Sequence, residues 1–194
     1  MSIQHIKKPQ LETATWVGGT TTQLAIYPAT AEYKAFNFDF RISYATVQVP
    51  ESTFTFMPGV TRHLMILEGS LEIDHMDRYQ KSLKKFDIDI FNGEWPTKAK
   101  GKVTDFNLMT RGNTSGSLES LILPAGISKV FALNEKCTYI GLYLFSGALT
   151  VKLETGDLKM EAGDFISINT TTAGICMLLA ETDCEIIVTK VTNE

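Results

Sequence analysis

Three short stretches of this sequence hold side chains able to do directed chemistry. In "DFNLMTRG", from Asp105 to Gly112, strand alternation places Asp105, Asn107, Met109 and Arg111 on one face and Phe106, Leu108 and Thr110 on the other. In "FNFDFRISYA" the same period sets Phe36, Phe38, Phe40, Ile42 and Tyr44 opposite Asn37, Asp39, Arg41, Ser43 and Ala45, and Arg62 follows the turn "PGV". Arginine presents five donors in a rigid fork that matches a carboxylate, and asparagine supplies both a donor and an acceptor. Such a set suits a small acidic ligand. The plainer alternatives are a surface pair between Arg41 and Asp39, and a solvated face or an internal salt bridge for Asp105 and Arg111. Proton transfer would fall to Asp105, His63 or Tyr44, the titratable groups near these stretches.

Other chemistries find no support. The histidines, His5, His63 and His75, show no H-x-H or H-E-x-x-H spacing, so neither a metal site nor another cofactor is expected. Cys137, Cys176 and Cys184 are odd in number and lack a C-x-x-C pair, which fits reduced core thiols. A net charge of −4 with scattered Lys and Arg argues against nucleic acid. No apolar run approaches the roughly 20 residues a membrane helix needs, and no apolar segment follows the first lysines, so a cytoplasmic address is expected. "TWVGGTTTQ" lacks the Gly-Lys-Thr ending of a phosphate loop and reads as a loop feeding an edge strand, with Trp16 either over a barrel mouth or in the core. "FNGEW" reads as a turn anchored by Trp95.

The elements that must position these groups are strands. Period-two alternation recurs in "HLMILEGSLEIDH", "SKVFAL", "YIGLYLFSGALTVKLETGDLKMEAGDFISIN" and "CEIIVTKV", separated by Gly-containing turns, and no long segment has a 3.6-residue apolar period. "LMILEGSLEIDH" from Leu64 aligns without gaps to "LYLFSGALTVKL" from Leu142, which puts Gly69 and Gly147 at the same place in two copies of one hairpin. A strand, a Gly turn, a second strand and a Gly-Asp before the next is the rhythm of a cupin barrel.

Four blocks make the resemblance specific: "TWVGGTTTQLAIYP", "FDFRISYATV", "FTFMPGVTRHLMILEG" and "DFNLMTRG". In these the chain resembles the HutD/Ves family of small bacterial proteins. The resemblance implies an all-β fold of double-stranded β-helix (cupin) barrels in a bicupin arrangement, with an N-terminal half over 1–115 carrying the motifs, a C-terminal half over 116–194, and one compact unit. It implies a pocket lined by Trp16, Arg41, Ser43, Arg62, Asp105, Asn107, Met109 and Arg111. Phe40 stands where the family commonly has Trp, and Val17 and Gly112 replace polar residues found in other members.

The function so implied is non-enzymatic binding of a small acidic metabolite, with formylglutamate or urocanate as natural guesses, in regulation of histidine utilisation or stress response. A metal-free isomerase or hydrolase using Asp105, and a protein-interaction scaffold, are the alternatives. Exposed sheet edges make a homodimer an expectation.

Overall fold

The computed structural model describes residues 2–133, 137–169 and 174–193. They fold as strands joined by turns and two 3-10 turns, arranged as two compact units, each built from two sheets.

The N-terminal unit spans Glu12–Ser115. Its larger sheet has the order β2 (Glu12–Trp16), β3 (Gly19–Tyr27), β4 (Phe40–Val47), β11 (Val103–Arg111), β6 (Val60–Gly69) and β9 (Ile88–Asn92). The smaller sheet runs β5 (Glu51–Thr53), β10 (Thr97–Lys100), β7 (Leu71–His75) and β8 (Tyr79–Leu83). Leu64 and Ile66 from the first sheet and Leu71, Ile73, Leu83 and Ala99 from the second form one apolar cluster, so the face of the large sheet that carries Leu64 is the inner one.

The C-terminal unit takes Gly116–Glu194 together with Met1–Leu11. Its sheets are β1 (Ser2–Ile6), β17 (Phe165–Asn169), β14 (Tyr139–Ser146), β19 (Cys184–Asn193) and β12 (Thr114–Leu123), and β13 (Ser128–Leu133), β18 (Gly174–Ala180), β15 (Ala148–Leu153) and β16 (Gly156–Glu161). The expected division at 115/116 therefore needs a correction at the other end of the chain. Residues 1–11 go with the C-terminal unit because β1 pairs antiparallel with β17, Ser2 opposite Asn169 through Ile6 opposite Phe165. This unit is filled by Leu142, Leu144, Leu149, Ile166, Ile186 and Val188 with their apolar neighbours.

The two hairpin copies take the same role in each unit: β6 turns into β7 at Gly69, and β14 into β15 at Gly147. Both glycines have positive φ, 83° and 95°. A Cβ would approach the Lys102 carbonyl oxygen to 2.5 Å in one case and that of Asp183 to 2.3 Å in the other, so backbone proximity as well as conformation demands glycine.

The alternation read from Phe36 onward starts later than expected. Tyr33–Ala35 form a 3-10 turn capped by Phe36 in the left-handed region, φ 52°, and the strand begins at Phe40. None of the described helices is long and apolar enough to cross a membrane, and the three cysteines form no disulfide.

Candidate functional site

Cross-strand partners point to the same side of a sheet, so the register of the large N-terminal sheet fixes which side chains meet. One row runs Gln23, Ser43, Asn107, Leu64, Asp89, and the next runs Ile26, Arg41, Met109, Arg62, Phe91. Because Leu64 is a core residue, both rows face the barrel interior. Asp105, opposite Ala45 and Ile66, lies on the same face beside a register shift at Thr104/Asp105. A polar face that alternation alone would assign to solvent is here buried: Arg41, Ser43, Arg62, Asp105 and Asn107 are all 2–7 % exposed.

Each arginine is fixed by neutral partners. Arg41 donates from Nε to Gln23 Oε1 (2.9 Å) and from Nη1 to Ser43 Oγ (3.0 Å), with its guanidinium 4.3 Å from the centre of the Tyr33 ring. Arg62 donates from Nη2 to Asn107 Oδ1 (3.0 Å) and lies 4.5 Å from the Phe54 ring and 5.5 Å from that of Phe91. The Asn107 amide nitrogen in turn donates to Asp105 Oδ1. Among the described residues no carboxylate lies within ion-pair distance of either guanidinium, and Arg62 Nε is buried without a hydrogen-bond partner.

The electrostatics follow from this burial. Desolvation lowers Arg41 below the usual arginine range, with Tyr33 opposing it, and brings Arg62 down to about 10. At Arg62 the neighbouring Tyr33 and Asp105 work against desolvation, while the like charge of Arg41 works with it. Burial raises Asp105 to about 7, against the attraction of Arg62 and the Asn107 hydrogen bond. The site thus holds two arginine charges against one acid that is half ionised near neutrality.

Two of the residues singled out in the sequence stand apart from this cluster. Arg111, at the exposed end of β11, donates from Nη1 to the Phe36 carbonyl oxygen, and its backbone N–H reaches Asp39 O (2.8 Å), so it ties down the segment that carries Tyr33. Trp16 is 42 % exposed and pairs with Gly19, at the opposite end of β3 from Ile26, the partner of Arg41. Its ring lies over Gly18, where a Cβ would collide with it. Met109 packs with Phe38, Met57 and Val60 as apolar floor beneath Tyr33. Arg41 makes no pair with Asp39. Tyr44 and His63 alternate onto the other face, in rows with Phe106 and Leu108, and burial lowers the His63 pKa there.

Four contributors escaped the sequence reading. Gln23 was hidden in a threonine run, Tyr33 sits in a segment without strand signal, and Phe54 and Phe91 look like ordinary core aromatics. An arginine on an otherwise inward strand face, in a barrel with spare aromatics, was the one available hint. Behind Phe91 lies a second polar group that was also unseen. His75, fully buried, contacts Asp89 Oδ2 through Nε2 and Thr97 Oγ1 through Nδ1, each at 2.8 Å, and its ring packs 4.5 Å from that of Phe91. Tyr79 and Lys81 also donate to Asp89. With both ring nitrogens occupied and no exposure, His75 supports the aromatic wall.

Two clefts of ≈ 260 and ≈ 360 Å³ open in the C-terminal unit, one beside Ile3, His5 and Leu158, the other beside Pro124, Asp183 and Glu185. Neither gathers convergent donors as the N-terminal barrel does, so the arginine cluster is the stronger site. Among the described residues no three His, Cys, Asp or Glu side chains converge to hold a metal ion.

A family model described as HutD matches residues 8–187. No curated protein matches the chain in sequence. Among solved structures, a conserved protein of unknown function from Pseudomonas aeruginosa aligns over 100 % of both chains with TM-score 0.85 and 15 % identity. HutD from Pseudomonas fluorescens aligns over 100 % of both with TM-score 0.79 and 14 % identity. The nickel(II) complex of the bacterial pirin YhhW from Escherichia coli aligns over 100 % of both with TM-score 0.72 and 10 % identity, a likeness of fold alone.

Proposed function

Since the chain belongs to the HutD family, we propose that it binds a small carboxylate metabolite inside its N-terminal barrel and acts as a sensor rather than as an enzyme. The observation that carries this reading is the pair of buried guanidiniums, Arg41 and Arg62, held by neutral partners and left without a carboxylate. Two unneutralised buried cations cost folding free energy, and an anion placed between them offsets that cost. Arg62 Nε and the remaining Nη hydrogens supply donors for its oxygens, while Tyr33, Phe54 and Phe91 supply apolar walls. A scaffold with an idle barrel would pair these arginines internally.

By analogy with HutD-named proteins, formylglutamate and urocanate are the first ligands to try, with a regulatory role in histidine utilisation. The reading is tested by thermal unfolding with formylglutamate, urocanate, histidine and glutamate, for the wild type, Arg41→Ala and Arg62→Ala. A ligand at about 100 times its Kd stabilises by roughly 2.7 kcal/mol, or about 5–10 °C in a chain of this size. A shift of that size that is lost in both variants supports the pocket, and the absence of any shift across the panel refutes it.

One observation favours a second reading. A buried carboxyl titrating near 7 beside an arginine clamp is suited to general acid–base work, so Asp105 could serve a metal-free isomerase or hydrolase acting on the same carboxylate. Prolonged incubation of the protein with each ligand that shifts its melting, followed by NMR of the ligand, separates the two.

A further inference from the structure

We propose that anion binding in the N-terminal barrel is coupled to proton uptake, a simple carboxylate entering between Arg41 and Arg62 together with one proton that comes to rest on Asp105. This rests on the anion-site reading above and adds its regulation by pH.

The argument begins with how Asp105 is held. Its carboxylate is 5 % exposed and receives one side-chain hydrogen bond, from Asn107. Asn107 cannot turn away to serve a ligand, because its own oxygen accepts from Arg62. Arg62 reaches Asp105 through this amide and not by contact. The charged group that acts on Asp105 is therefore Arg62 on β6, and Arg62 in turn feels Arg41 on β4 and Tyr33 in the 3-10 turn. Across the barrel, Leu71, Ile73, Leu83 and Ala99 of the smaller sheet close over Ile66, the cross-strand partner of Asp105. The titratable groups of that sheet's inner face, His75, Tyr79 and Lys81, are all held on Asp89, His75 also on Thr97.

Arg62 and the Asn107 hydrogen bond, then, favour the ionised form of Asp105, and burial opposes it more strongly. A carboxylate seated between Arg41 and Arg62 cancels the attraction of Arg62 at Asp105 and brings a like charge close. Both effects favour the neutral acid. The balance is simple: ligand carboxylate plus one solvent proton gives the complex, with the proton bound to a carboxyl oxygen of Asp105. Before binding the site holds two cations and one anion. Afterwards it holds two cations, the ligand anion and a neutral acid, so its net charge is unchanged. Because Asp105 in the unliganded protein titrates near 7, this exchange operates across the neutral range.

Sodium formate is the probe, since it is the smallest carboxylate and remains ionised throughout. Its Kd is measured by NMR titration from pH 5.5 to 8.5 at constant ionic strength. Proton uptake is read from the pH change when formate is added to weakly buffered protein. For the wild type, Kd should be flat below about pH 6.5 and should weaken by up to tenfold per pH unit above about pH 7.5, with close to one proton taken up per formate at pH 8. Asp105→Asn, uncharged at every pH, should bind formate with the low-pH wild-type Kd throughout and take up no proton. Formate binding with a Kd that changes less than twofold over this range, or a pH dependence that survives Asp105→Asn, overturns the coupling while leaving the anion site standing. No saturable response at pH 6 removes the anion site and the coupling with it. Should Asp105→Asn fail to fold, wild-type proton uptake alone decides.

Discussion

The two barrels put different chemistry at the same points of one scaffold. In the N-terminal unit, Leu64 of β6 is flanked by Asn107 and Asp89; in the C-terminal unit, Leu142 of β14 is flanked by Val188 and Ile166. Two residues earlier, Arg62 lies beside Phe91, where Ile140 lies beside Ile168. Two residues later, Asp105 faces Ile66, where Ile186 faces Leu144. Even the register shift is shared, at Thr104/Asp105 in one and at Leu144/Ser146 in the other. The C-terminal barrel shows that this scaffold packs well with an aliphatic centre. The acid, amide and arginine of the N-terminal barrel are thus not a requirement of the scaffold, and the proposed anion site accounts for their burial.

The comparison breaks most sharply if polarity is imported into the aliphatic centre. Val188→Asp places a carboxylate against Leu142 among aliphatic side chains, where the one cation of the same strand face, Lys190, is already paired with Glu119, and should cost about 3–5 kcal/mol, measured by urea denaturation. The reverse exchange sharpens the contrast through pH. The folded-state pKa of Asp105, near 7, is raised above its unfolded value, so the native state binds the proton more tightly. Stability should then fall as pH rises from about 4 to about 7, by up to roughly 4 kcal/mol from this group. Asp105→Asn should flatten that part of the stability profile and be more stable than the wild type at pH 8.

Arg62→Met tests whether the charge serves binding or stability. It removes a buried, unneutralised cation and keeps the apolar stem, so stability should change by less than about 1.5 kcal/mol, while the thermal response to carboxylates disappears. The smallest effect is expected outside the cluster. Arg111→Ala loses an exposed hydrogen bond to Phe36 O and should cost under about 1 kcal/mol, with amide exchange speeding up in the segment around Tyr33.

Much of the fold was legible because its signals are local. Alternation in "HLMILEGSLEIDH" and its later copy marks strands, and Gly69 and Gly147 mark turns that no other residue fits. The limits of the alternation were also local: the stretch from Phe36 to Asp39 forms no strand and follows a 3-10 turn at Tyr33–Ala35, which places Tyr33 over Arg41. The candidate site was legible only in part. Spacing along β11 and β4 put Asp105 with Asn107 and Arg41 with Ser43, yet nothing in it could tell an inward polar face from a wet one. It also could not separate Arg111, at the strand end, from Asn107, four residues earlier on the same face.

By itself, then, the order of residues determined the strands, their turns and which side chains share a face, since backbone sterics and a period of two act between near neighbours. Only the tertiary structure decided which face is inside, that Gln23, Tyr33, Phe54 and Phe91 gather around the two arginines, and that β1 crosses to the C-terminal unit. These depend on strand register and sheet closure between residues far apart in the chain. Burial then turned an ordinary aspartate into a group that titrates near neutrality, because the cost of charging it depends on what surrounds it and not on its neighbours in sequence.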